Sequence, residues 1–493
     1  MNASRKRPES FRWNWPSGIE RKAPSIDRES RCMYYSPGYT QVSRGCPVTL
    51  TSKTTKLQFE RWFTLVLVAG LLVCLYGPFS PAASAQETRP TILSAQRADL
   101  SRMVVVGDSL SAGFENDSLW DAQQVHGWAS VLADQAQVPL VLPLIASPGI
   151  PNHLELISAN FPPIIVPVPG PASPGRDDPF VQATDLAVPD AVLQDVLTTQ
   201  PSLPIDDFTD LILGLPGMEA IPPISLSQVQ WAQALRPSIV FAWIGNNDIL
   251  GAATAANPSG ATSLSSFNSN YSQMLKDLAA TGATLVVANI PDVTVSPFFT
   301  PASTIAEETG LPLFILGPIL GIGPGDYVLP AGIALIPTIL ANPSVGPLPS
   351  SDVLRFFQVL EVRALIDAYN VIIAVQAFEH AAVLVDVHSL ANRLRSQGVE
   401  TNGKHLTTAF LGGLFSLDGV HPTNTGYAII ANEFITTLNQ TRGTSIPPVN
   451  INTVASTDPL VFATAAQAPS LGQHVSRQAA EILRSLLFHT KRQ

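Results

Sequence analysis

Val104-Val105-Val106-Gly107-Asp108-Ser109-Leu110-Ser111 is a run of β-branched residues that breaks at a glycine and delivers a serine at the break. Such a run reads as a buried strand of a parallel sheet. A serine at its carboxyl end lies where α/β folds build their ligand crevices. Two distant segments complete the pattern. Gly245-Asn246-Asn247-Asp248 follows an apolar run over 239–244, and Asp418-Gly419-Val420-His421-Pro422 lies near the far end. A serine hydroxyl, an asparagine amide and an Asp-x-x-His pair are the groups that acyl transfer requires.

Outward from the first strand, apolar β-rich runs alternate with helical spacing. Strands are expected over 103–107, 238–244, 283–290 and 381–387. Helices are expected over 127–135, 267–280, 354–378 and 424–438. Strand–helix alternation implies a mainly parallel sheet covered on both faces, a three-layer α/β/α sandwich. Three proline-rich apolar insertions interrupt it, at 139–179, 203–223 and 298–349. Each reads either as a second layer of core over the sandwich or as a lid and acyl-binding wall over the site. No uninterrupted apolar run in them reaches spanning length.

Together the Gly-Asp-Ser-Leu turn around Ser109, the Gly-x-Asn-Asp turn around Asn247 and the Asp-x-x-His-Pro turn around His421 resemble the SGNH/GDSL hydrolases, a large family of esterases and lipases. All three stand in the family's order, and the likeness spans roughly 103–439. The resemblance implies a flavodoxin-like sandwich and hydrolysis of carboxylic esters through an acyl-enzyme. It implies Ser109 as nucleophile, His421 as base, Asp418 as the carboxylate that orients the ring, and Asn247 as an oxyanion donor beside the Ser109 N–H. Asp108 and Asp248 would order the site from behind.

Each residue also has a plainer reading. Ser109 can cap the turn after its strand, Asp418 can cap a loop turn beside a solvated His421, and Asn246 and Asn247 can form an Asx turn. In the segment Leu186-Ala187-Val188-Pro189-Asp190-Ala191 the family expects a glycine where Asp190 stands, its N–H completing the oxyanion hole. Asp190 retains a backbone N–H, and Gly149 is the alternative donor. A carboxylate beside a developing oxyanion is unfavourable unless it points away or is paired. Asp190 is therefore expected to lower turnover or to select against acidic acyl groups. His126, His153, His380, His388, His405, His474 and His489 read as structural or exposed.

Composition narrows the class. The first 85 residues look like an export segment: a basic leader, an apolar run over 63–76, and the small-x-small pattern Ala83-Ser84-Ala85. The run is short for a membrane span, which favours a cleaved signal peptide over a retained anchor, and hence a secreted or periplasmic protein. Met33 as the true start would account for the long leader. All 3 cysteines, Cys32, Cys46 and Cys74, precede the expected cleavage. The mature chain would hold neither thiol nor disulfide, which removes cysteine nucleophiles and cysteine zinc sites. Past residue 85 stand 16 Lys/Arg against 33 Asp/Glu, a balance that argues against nucleic acid and anionic membranes as partners. No metal-ligand spacing and no glycine-rich phosphate loop is present, so neither metal nor cofactor is expected. The substrate expected is a small-molecule or lipid ester, with no stable membrane insertion after cleavage. A carbohydrate O-deacetylase and a non-catalytic binding protein on a decayed scaffold are the rivals. Residues 441–493 read as surface packing or a tail, and the spacing over 478–488 fits a short amphipathic helix.

Overall fold

The computed structural model describes residues 97–461. The expected export segment with its three cysteines, His474, His489 and the helix expected over 478–488 lie outside the described residues.

β1 (Met103–Gly107) leads into a one-turn helix, α1 (Ser109–Ala112), capped by the Asp108 carboxylate on the Leu110 N–H. α2 (Trp128–Ala136) follows, then the antiparallel hairpin of β2 (Leu154–Ser158) and β3 (Ile164–Pro167). Short helices α3 (Leu193–Thr198), α4 (Phe208–Leu213) and α5 (Gln228–Leu235) precede β4 (Ile239–Trp243). Helices α6 (Asn247–Thr254) and α7 (Leu264–Ala279) separate it from β5 (Thr284–Ala288). Past β5, the small strands β6 (Thr300–Pro301), β7 (Tyr327–Val328) and β8 (Val353–Leu354) form an antiparallel patch. Between them run α8 (Ala302–Thr309), α9 (Leu313–Leu320) and α10 (Pro330–Ala341). The long α11 (Phe356–Glu379), β9 (Val383–Val385) and α12 (Val387–Gln397) come next, and α13 (Asn424–Arg442) and α14 (Ile451–Thr457) close the described chain.

The central sheet has the order β1-β4-β5-β9, parallel throughout. A further segment extends its β1 edge. The Val105 N–H donates to the Thr184 carbonyl, and the Leu186 and Val188 N–H groups donate to Val105 and Gly107. Val105 and Asp185 form a parallel bridge there. Residues 184–188 thus satisfy the edge of β1 without counting as a full strand.

Alternation along the strands divides the core into two layers. Val104, Val106, Val240, Ala242, Leu285 and Val287 face α5, α7 and α11. Met103, Val105, Ile239, Phe241 and Val286 face α2 and α13 on the opposite side. Aromatic stacking seals both layers: Phe267 lies 4.1 Å from Tyr369, and Trp128 lies 4.0 Å from Phe434. Strands buried on both faces need apolar residues at every position, which is why these runs lack polar alternation.

The insertion over 298–349 builds a small core of its own from residues including Ile305, Leu316, Leu320, Ile336 and Ile339. Phe161, in the turn of the β2–β3 hairpin, packs against it. Helices α9 and α10 run through Pro318 and Pro337, where the sequence reads as broken loop. Apolar packing overrides that local preference. The stretch 446–461 is also packed. Ile446 and Val449 join the α13 face, and the Asn432 and Asn439 side chains hydrogen-bond both backbones. No helix among the described residues is long and apolar enough to cross a membrane.

Candidate active site

The ends of β1 and β4, the edge segment that leads to Asp190 and the loop that carries Asp418 and His421 bring the candidate residues to one end of the sheet. Gly107 ends β1 where a Cβ would lie 2.6 Å from the Ser111 Oγ and 2.7 Å from the Trp243 carbonyl, so only glycine lets the chain turn there. The Gln228 side chain holds that turn, accepting from the Gly107 N–H at 2.9 Å and donating to its carbonyl at 3.0 Å. Ser109 follows as the first residue of α1 and is buried. Its Oγ lies 2.8 Å from the Nε2 of His421.

The other ring nitrogen, Nδ1, is 3.0 Å from the Asp418 Oδ2. The Asp418 carboxylate also accepts the N–H groups of Val420, His421 and Asp117. Burial alone would raise the Asp418 pKa. The His421 charge and these hydrogen bonds outweigh it and hold the carboxyl at about 2. An ionised Asp418 only accepts, so Nδ1 carries the hydrogen and Nε2 presents its lone pair to the serine hydroxyl. Burial pushes the His421 pKa down, but Asp418, with smaller contributions from Asp108 and Asp117, brings it above its ordinary value.

Asn246 and Asn247 diverge. Asn246 is buried and donates its amide to the Asp108 Oδ2 at 2.8 Å, tying the end of β4 to the end of β1. Asn247, half-buried as the first residue of α6, donates to the Ala191 carbonyl at 3.0 Å. That bond engages one of its two amide hydrogens. Burial raises the Asp108 carboxyl to about 6, against the pull of the Asn246 amide, the Leu110 N–H and His421. Asp248 accepts the Leu193 N–H at 2.8 Å, and burial raises its pKa too.

Asp190 is exposed and has φ +64°, the left-handed conformation that glycine adopts without penalty. Among the described residues no protein acceptor takes its N–H or that of Ser109. Gly149, the alternative donor, already gives its N–H to the Ala146 carbonyl at 3.1 Å. Its glycine character has another cause, since a Cβ would meet the Ser118 Oγ at 2.1 Å. The remaining described histidines hold no such constellation. His388 Nδ1 faces the Ile290 carbonyl, His153 stacks on Trp120, and His405 pairs with Glu400 at the surface.

Sequence reasoning missed the partners around His421. Asn116 and Asp117 both have positive φ in a tight turn, and this turn clamps the Asp418 loop. The Asn116 Oδ1 accepts the Leu417 N–H, the Asn116 N–H donates to the Ser416 Oγ, and the Asp117 N–H reaches Asp418. Phe114 lies against the His421 ring at 4.7 Å. An Asn-Asp pair is a visible turn signal, but nothing local names the loop 300 residues away that it grips.

Beside Ser109, Asn247 and His421 opens a cavity of about 100 Å³ with an almost wholly apolar surface. A second, more polar cavity of about 260 Å³ is lined by Asp190, Asp195 and Asp207.

The GDSL-like Lipase/Acylhydrolase family model matches residues 103–434, the stretch that carries all three turns. The chain belongs to this family. The family places it among ester-cleaving hydrolases. No curated protein matches the sequence. Similar solved structures include LAE5, an alpha/beta hydrolase from the metagenome of Lake Arreo, at 13% identity, covering 70% of this chain and 97% of that one, TM-score 0.34. Axe2, an acetylxylan esterase from Geobacillus stearothermophilus, is 12% identical over 70% of this chain and 96% of its own, TM-score 0.32. TesA is 13% identical over 69% and 98%, TM-score 0.28.

Proposed function

We propose that this family member is a secreted serine hydrolase that cleaves carboxylic esters with an apolar acyl group. The observation that carries the reading is the unbroken chain from Ser109 Oγ through both ring nitrogens of His421 to Asp418, 2.8 Å and 3.0 Å long.

Ser109 Oγ attacks the acyl carbon while His421 Nε2 takes its proton, and the Asp418 carboxylate stabilises the imidazolium. The oxyanion is met by the N–H groups of Ser109 and Asp190 and the free amide hydrogen of Asn247. One such donor is worth roughly 3 to 4 kcal/mol in the transition state. His421 returns the proton to the leaving alcohol, and water then releases the acid by the same steps reversed. Asp190 is exposed, so solvent screens its carboxylate from the oxyanion. The positive φ accounts for the family's glycine at this position, and aspartate is among the few other residues that adopt it. Export rests on the leader and the Ala83-Ser84-Ala85 pattern.

A fluorophosphonate probe reacts only with an activated serine. Wild-type protein is expected to label and to hydrolyse p-nitrophenyl esters. The Ser109→Ala variant should lose labelling and at least about a thousandfold in kcat. Labelling indifferent to that substitution sinks the proposal and favours a binding protein on the same scaffold.

A further inference from the structure

The apolar cavity beside Ser109 is walled by Val293 and Val295 after β5, by Leu390, Ala391 and Leu394 of α12, and by Ile430 of α13. None of its lining residues belongs to the insertions at 139–179, 203–223 or 298–349. Asp292, itself part of the lining, braces the wall. Asp292, beside Val293, accepts from the Arg363 Nε and the Arg395 Nη1, each at 2.9 Å, and so ties this segment to α11 and α12.

We infer that this cavity receives the acyl chain of the ester, a short aliphatic chain of about four carbons, and that Leu390, Ala391 and Ile430 set its length. The inference rests on the ester-hydrolase reading above. With the acyl carbon at Ser109 Oγ and its oxygen toward Asn247, the chain leaves the reacting centre through an adjoining opening. The cavity beyond Asp190 presents the carboxylates of Asp190, Asp195 and Asp207, and desolvating them against hydrocarbon is unfavourable. Asp108 and Asp292 also line the apolar cavity, but the Asn246 amide pairs the first and Arg363 and Arg395 pair the second, so little desolvation cost falls on a chain bound there. An apolar cavity of about 150 Å³ accommodates benzene, with its six carbons, so about 100 Å³ accommodates roughly four.

The test compares p-nitrophenyl acetate, butyrate and octanoate on the full-length protein, by kcat/KM. Burying a methylene is worth about a fourfold gain, so butyrate should exceed acetate by roughly tenfold or more. Octanoate should fall below butyrate because its end finds no room. Leu390→Ala enlarges the cavity and should move the optimum to longer chains. Ala391→Leu, on a partly exposed helix position, fills the cavity and should move the optimum to acetate. Wild-type preference for acetate, or an optimum indifferent to both substitutions, overturns the assignment while leaving a Ser109-dependent esterase standing. Absence of Ser109-dependent turnover on all three esters overturns both.

Discussion

His421 is held by opposed forces, and its pH behaviour follows from which one wins. Burial disfavours the imidazolium, while Asp418 and its hydrogen bond favour it, and the net direction is upward from 6.5. In its proposed role as base, His421 works only when neutral. The acidic limb of kcat/KM on a neutral ester should therefore have its midpoint above 6.5. In Asp418→Asn the attraction is gone and burial prevails, so the midpoint should move down while kcat falls on the order of 10³- to 10⁴-fold. A pH–rate profile of the two proteins checks this, and an unmoved midpoint argues against Asp418 as the group that charges the ring. The roles of Asp418 and His421 are suggested by a three-residue spacing. The clamp from Asn116 and Asp117 is not, because a contact across 300 residues leaves no periodicity to read.

The strands of the central sheet are the most legible elements, since burial on both faces forces continuous apolar runs. The edge segment over 184–188 is not legible as a strand, because its pairing with β1 is brief and Asp185 sits within it. That aspartate is buried, and desolvation raises its carboxyl to about 8 against the opposing Ala187 N–H. A pKa raised on folding means stability that is full below the unfolded value near 3.8 and declines as pH rises to about 8. Asp185→Asn removes the titration. The melting temperature of the variant relative to wild type should be higher at pH 8.5 than at pH 5, by thermal unfolding at both. An equal difference at the two pH values would show that Asp185 does not titrate in this window.

The insertions show that packing across the whole chain decides what a proline-rich apolar stretch becomes. Proline-rich apolar stretches read either as a second layer of core or as loops over an active site, and residues 298–349 build a small core with helices that run through proline. The hairpin reaches that core through Phe161 and so joins two insertions far apart in sequence. Phe161→Ala should cost about 2 kcal/mol, less than the 3–5 kcal/mol of a fully buried phenylalanine, because Phe161 is only half-buried. It should lower the melting temperature without altering the ranking of acyl chain lengths. A changed ranking would place the insertions in the acyl wall after all.

By itself the sequence determined the strand–helix alternation and the family, and it marked the three turns that hold Ser109, Asn247 and His421. Each is written in short-range chemistry: β-branched runs, glycines at close approaches, and an aspartate three residues from a histidine. Tertiary structure alone decided which asparagine ties the strands together and which faces Ala191, which backbone N–H stays uncommitted at Asp190, and which side chains wall the cavity beside Ser109. These depend on the packing of distant segments, and packing is a property of three-dimensional neighbours that no local pattern encodes.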